Sequence, residues 1–335
     1  MTIAQSILSG DRLALARLLT LVENNTSEGR ETLDELFPHA GKAHLVGVTG
    51  SPGSGKSSLV NQIALHYRKA DSPKRVAIVA VDPSSPFTGG AVLGDRVRMR
   101  DLSGDAGVFI RSMAARGSLG GLAQATAGVV QAFDAAGFEV VLIETVGAGQ
   151  AEVDIARLAH TTLVVEAPGM GDEIQAIKAG ILEIADILVI NKADHPGVDN
   201  TERALKSMLD LAHPVEKVFR HHGQAMTISA PSVEQDTSLW IPPIVRTVAI
   251  EGVGVAELVE SINSHAEHLR LSGDWTKRER ARLETELDLM ITESLVAQFR
   301  VQHLDSRYDE IVNQLTQRTL SPWEAVKSLM NGKKP

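Results

Sequence analysis

The chain predicts an α/β fold: a doubly wound, mostly parallel sheet with helices before it and a helical arm after it. Three observations predict it. Seven short segments rich in Val and Ile are apolar on both faces, as strands buried inside a parallel sheet are. They alternate with helical stretches over some two hundred residues, the rhythm of strand–helix–strand units. A glycine-rich loop, "GSPGSGKS" at 50–57, sits between the first such strand and the helix that follows it.

The elements follow in order. In the first forty residues Leu15, Leu18, Leu19 and Val22 recur at i, i+3, i+4 and i+7, one apolar helix face. Residues 1–42 are therefore expected as an N-terminal helical extension. The expected strands are "LVGVT", "RVAIVAV", "GVFIRS", "EVVLIET", "TTLVVEA", "DILVIN" and "IVRTVA", within a domain spanning 43–270. Residues 212–243, polar and turn-rich, read as an insertion or long surface loop. From 271 to 335 the chain is helical and charged. Leu283, Leu287, Met290 and Ile291 form a stripe on a helix dense in Arg and Glu, an arm suited to packing on a second copy.

Composition narrows the function. The chain has 335 residues, no cysteine and a formal net charge of −9. Disulfides, thiolate metal sites and thiol nucleophiles are excluded. The acidic balance gives no general reason to bind nucleic acid or an anionic membrane. No apolar run reaches the ~20 residues of a membrane span, and the start lacks the layout of a signal peptide, so a cytoplasmic protein is expected.

The loop fits G-x-x-x-x-G-K-[ST]. Backbone N–H groups of Gly50, Ser51, Gly53, Ser54 and Gly55, with Pro52 among them, lead into a helix N-terminus, a cradle for phosphates. Lys56 would neutralise the β- and γ-phosphates, the Ser57 hydroxyl would ligate Mg²⁺, and Ser58 continues the turn. Farther on, "NKAD" ends another buried strand. The carboxylate of Asp194 can accept from guanine N1–H and its N2 amine, a pair that adenine lacks. With Asn191 and Lys192 it points to GTP. Two segments could cap the base. "TISA" at 227–230 lies in the irregular insertion, whereas Thr247, Val248 and Ala249 follow a strand and precede glycines opening a helix. The latter is the better choice. Three carboxylates, Asp82, Asp95 and Glu144, are expected on the same rim to hold Mg²⁺ or orient water. Arg111 and Arg116 leave a strand there as well.

These residues closely resemble the MeaB/ArgK family of P-loop GTPases. The resemblance runs from the N-terminal helices to about His268. It is dense over "GVTGSPGSGKSSL", "VDPSSPFTGGAVLGDRVRM", "RSMAARGSLGGLA", "ETVGAGQAEVDIA", "PGMGDEIQAIKAGILEIAD" and "NKAD". It implies slow hydrolysis of GTP to GDP with Mg²⁺, and a chaperone's association with a cobalamin-dependent acyl-CoA mutase, methylmalonyl-CoA mutase first among the candidates. It also implies gating of adenosylcobalamin transfer from an adenosyltransferase, and a homodimer built on the helical arm. By motif, Lys56 and Ser57 serve phosphate and metal, and Asp82, Asp95 and Glu144 form the acidic set. The loop around Asp95 would be a first switch and "ETVGAGQAE" a second, with Ala148 and Ala151 where many relatives have Val and Ser. Gln150 is a candidate to orient water. The segment from Pro168 matches a third switch, carrying Asp172, Gln175 and Lys178 on one helix face. Rival readings are an ATP-dependent kinase, against which Asp194 argues, a metal-inserting GTPase, for which His221–His222 is the sole histidine pair, and an adaptor whose hydrolysis only resets binding.

Overall fold

The computed structural model describes residues 1–83, 99–102, 104–115, 121–145, 151–169, 184–212, 219–221, 224–226, 239–303 and 306–331. The seven expected strands all form, as β1 (His44–Gly50), β2 (Val76–Pro83), β3 (Val108–Ala115), β4 (Val140–Thr145), β5 (Thr161–Glu166), β6 (Ile187–Ile190) and β9 (Ile244–Arg246). They make one parallel sheet in the order β3-β2-β4-β1-β5-β6-β9. The expected irregular insertion contains a short antiparallel pair, β7 (Phe219–His221) with β8 (Gln224–Met226). Nothing in its polar sequence pattern signals that pair.

Alternate residues of each strand enter opposite layers, which is why the strands read as apolar throughout. On one face Val46, Val48, Ile78, Leu142 and Val165 meet Leu59, Ile63 and Tyr67 of α4 (Lys56–Lys69) and Leu258 and Ile262 of α8 (Val255–Ser272). On the other, Leu45, Val79, Val141 and Ile143 meet Val129 and Phe133 of α5 (Gly121–Ala135) and Ile155 of α6 (Ala151–Leu158). Beyond β6 a smaller cluster joins Leu188 and Ile190 to Leu205 of α7 (Val198–Ala212).

The N-terminal helices α1 (Ile3–Leu8), α2 (Arg12–Glu23) and α3 (Ser27–Leu36) share the core behind α5. The predicted face of α2, Leu15, Leu18, Leu19 and Val22, is the buried one. Asp11 caps α2 by accepting from the N–H of Leu13 and Ala14, and Thr26 caps α3. Where α3 leads into β1, the carboxylate of Asp134 on α5 accepts from the N–H groups of Gly41, Lys42 and Ala43 at 2.7–3.2 Å.

The chain divides into two compact units, Met1–Arg282 and Leu283–Pro335. The first thus takes in the N-terminal helices and the start of α9 (Asp274–His303). The reason is a polar cluster under the amino ends of β1, β5 and β6. Arg278 forks onto Asp186 at 2.8 Å and also donates to the carbonyl of His160 at 2.7 Å. Trp275 stacks on His160 with centroids 3.9 Å apart. His160 accepts the Leu45 N–H at Nδ1 and faces Glu279 through Nε2, so it is held as the neutral Nε2–H tautomer. Burial lowers His160 and His44, and brings His265 down to about 4 against the pull of Asp186. For Glu279 burial pushes upward, but hydrogen bonds from His160 and Arg282 outweigh it and hold the carboxyl at about 2.

The second unit holds the remainder of α9 with α10 (Ser306–Thr316) and α11 (Pro322–Asn331). Within it Ile311 and Ala325 are buried, whereas Leu287, Met290, Ile291 and Leu295 stand exposed along α9. Among the described residues no helix is long and apolar enough to cross a membrane.

Candidate functional site

Because the strands run parallel, their carboxyl ends share one edge, where the ends of β4 and β5 meet the loops leaving β1, β6 and β9. β1 is central, so the loop of residues 50–57 that follows it lies between the ends of β4 and β5. At its end Gly55 takes φ +90° as the cap residue of α4, and a Cβ there would lie 2.4 Å from Nδ2 of Asn191. That close approach lets the base loop touch the phosphate loop. Lys56 is buried in the first turn of α4, its ammonium donating to the carbonyls of Gly50 at 2.8 Å and Ser51 at 2.9 Å. The donors of a helix N-terminus and this lysine suit a polyanion.

Asn191 joins three loops. It donates through Nδ2 to the carbonyl of Ser54 at 2.8 Å. Its Oδ1 accepts from the Thr247 hydroxyl at 3.1 Å and from the Ala249 N–H at 3.0 Å. Lys192, at φ +56°, extends its ammonium to the carbonyl of Gly53 at 2.8 Å. Asp194 is half-exposed, with His195 at 3.8 Å. Val248 and Val253 bridge the turn that holds Ala249, ahead of α8. Thr247, Val248 and Ala249 therefore stand beside "NKAD", whereas 227–230 lies outside the described residues.

On the other side of β1 the Ser57 hydroxyl donates to Oε1 of Glu144 at 2.5 Å. Glu144 is buried at the end of β4. A hydroxyl and a carboxylate held together are hard oxygen donors of the kind Mg²⁺ prefers, so these residues fit that ion. Asp82 lies at the end of β2 on the same edge, though its side chain is outside the described residues. Asp95, Arg116, Ala148, Gln150, Asp172, Gln175 and Lys178 also lie outside them. Arg111 is not at the rim: it pairs with Glu23 of α2 and reaches Thr20. It lies mid-strand on β3, before the residues that reach the edge, and α2 supplies its carboxylate. Ser54 Oγ is fully buried and has no hydrogen-bond partner among the described residues.

One rim residue escaped the sequence reading. Glu166, at the end of β5, accepts from the Ser51 hydroxyl at 2.7 Å. Its signal is the one that drew attention to Glu144, a carboxylate closing an apolar strand.

The family described as methylmalonyl Co-A mutase-associated GTPase MeaB matches residues 15–303. The match continues past His268 into α9, beyond where the motifs end. A putative GTPase of Pyrococcus abyssi is 43% identical over 321 residues, which cover 96% of this chain and 93% of that protein. GTPase ArgK of Escherichia coli is 33% identical over 336 residues, covering 98% and 96%. A crystal structure described as LAO/AO transport system kinase superposes with a TM-score of 0.68 at 24% identity, covering 98% of this chain and 95% of that one. That likeness is one of fold.

Proposed function

We propose, from the premise that this chain belongs to the MeaB family of methylmalonyl-CoA mutase-associated GTPases, that it binds GTP on the rim just described and uses its hydrolysis to serve a mutase. The observation that supports the site most directly is Asn191, whose single side chain ties the phosphate loop to both loops expected around guanine. The protein is a GTPase. In the proposed site the α4 N-terminus and Lys56 bind and orient the phosphates. Asp194 accepts from the guanine edge, and Thr247, Val248 and Ala249 close over the base. Ser57 and Glu144, with Asp82 and Asp95, would hold Mg²⁺, which when bound neutralises charge developing on the phosphates.

In the same proposal the protein is a chaperone that gates adenosylcobalamin loading from an adenosyltransferase and protects the mutase. The arm's exposed stripe joins two copies, and Asp172, Gln175 and Lys178 report nucleotide state to the mutase. The test compares GTP hydrolysis by the purified protein alone and with methylmalonyl-CoA mutase, for the wild type and for a triple alanine variant at those three positions. The expected outcome is acceleration by the mutase in the wild type only, at equal basal rates, with ATP a poor substrate. Equal acceleration of both proteins sinks the role given to the three residues. No acceleration and no complex in any nucleotide state sinks the mutase reading.

A further inference from the structure

The phosphate loop is held by a carboxylate on each side of β1. β4 lies on one side, with Val48 opposite Glu144, and β5 on the other, with Gly50 opposite Val165. Glu144 takes the hydroxyl of Ser57 at the loop's end. Glu166 takes that of Ser51 at its beginning, and of the two the proposed metal site draws on Glu144. Glu166 is nonetheless almost wholly enclosed, at 2% exposure, and a buried carboxylate is costly unless it holds something in place. Two further contacts indicate what it holds. The carbonyl of Ser51 accepts from the Lys56 ammonium at 2.9 Å, so fixing Ser51 fixes a carbonyl that aims the lysine. The carbonyl of Glu166 accepts from the N–H of Asn191 at 2.8 Å, so the same residue also anchors the root of "NKAD". Gly50, at φ +129°, presses against β5, where a Cβ would lie 2.1 Å from the carbonyl oxygen of Val165. The start of the loop therefore lies tight against the end of β5.

We propose that Glu166 is a positioning residue for nucleotide binding. It acts through the Ser51 hydroxyl to orient Lys56, and through its backbone to set the base loop at a fixed distance from the phosphate loop. The inference rests on the reading of this rim as the GTP site. What the contact secures is an acceptor for the Ser51 hydroxyl, a role glutamine can also fill. Lys56 is aimed before the phosphates arrive and stays aimed as they react. Loss of the contact therefore removes binding shared by ground and transition states and appears in KM more than in kcat.

The experiment measures steady-state GTP hydrolysis and equilibrium binding of GTP and GDP for the wild type, Ser51→Ala, Glu166→Ala, Glu166→Gln and the double alanine variant. Far-UV circular dichroism and urea midpoints identify the folded proteins. Ser51→Ala and Glu166→Ala are each expected to raise KM and both dissociation constants about tenfold, with kcat changed less than about threefold. The double variant is expected to match either single, because the two groups act as one contact. Glu166→Gln is expected within about threefold of wild type. The proposal is overturned if folded Ser51→Ala binds like wild type, if the two alanine losses multiply, or if Glu166→Gln is as weak as Glu166→Ala. Should Glu166→Ala fail to fold, Ser51→Ala and Glu166→Gln decide it alone. A wild type that binds neither GTP nor GDP refutes instead the reading of the rim.

Discussion

At the scale of single residues, the proposed selectivity for guanine rests on Asp194. Its carboxylate is half-exposed, open to a ligand's donors. Asp194→Asn is expected to weaken GTP binding by about 100-fold or more and to raise affinity for xanthosine triphosphate, whose C2 oxygen can accept from the new amide. Competition binding with the two nucleotides measures both effects, and unchanged GTP affinity would remove Asp194 from the site. A second prediction concerns acid. His44, His160 and His265 are held below the ordinary 6.5, chiefly by burial, with His265 at about 4. Above about pH 6.5 neither the folded nor the unfolded chain carries these protons. Between there and about pH 4 the unfolded chain takes them up first, so stability present at neutral pH is lost as pH falls. Glu279, at about 2, adds a further loss below its ordinary 4.5. Urea midpoints followed by tryptophan fluorescence are expected to decline steadily from pH 7 to pH 4, and less steeply in His265→Asn. A midpoint that rises toward acid contradicts the neutral assignment.

At the scale of elements, the attachment of the N-terminal helices depends on Asp134, which satisfies three consecutive N–H groups at the entrance to β1. Asp134→Ala is expected to cost about 1–3 kcal/mol by urea denaturation, since it strands the buried Ala43 N–H while those of the exposed Gly41 and Lys42 can turn to water. A loss under about 0.5 kcal/mol would mean that the apolar contacts of α2 and α3 suffice. The seven sheet strands were legible because each is a short Val/Ile run, and α2 because its leucines keep helical spacing. The pair β7–β8 was not, since its polar residues alternate no apolar face for a pattern to register. The phosphate loop and "NKAD" were legible from spacing, and Glu144 from its strand-end position. Arg111 was misjudged for a specific reason: a strand's pattern marks which residues are buried, but not that a helix 88 residues earlier will offer Glu23. Glu166 escaped because its partner, Ser51, was already read as part of the loop's backbone cradle.

At the scale of the whole molecule, Leu287, Met290, Ile291 and Leu295 leave an apolar stripe on α9 that stands exposed among the described residues. If a second copy covers it, Leu287→Glu with Ile291→Glu is expected to halve the mass seen by analytical ultracentrifugation at micromolar protein, with GTP binding intact. A wild type already monomeric would refute the arm's role. The central position of β1 has another consequence, in the order of synthesis. Its contacts with β4 and β5 close spans of 96 and 115 residues. At about 5–20 residues per second, a ribosome leaves β1 without a neighbouring strand for roughly 5 to 20 s. The loop that would grip phosphate is translated early, yet it lacks its flanking carboxylates until residues 144 and 166 have emerged, and its base loop until 191. A nascent chain carrying the complete GxxxxGKS motif thus has no nucleotide site, and nucleotide can stabilise the protein only as one of the last partners its folding acquires.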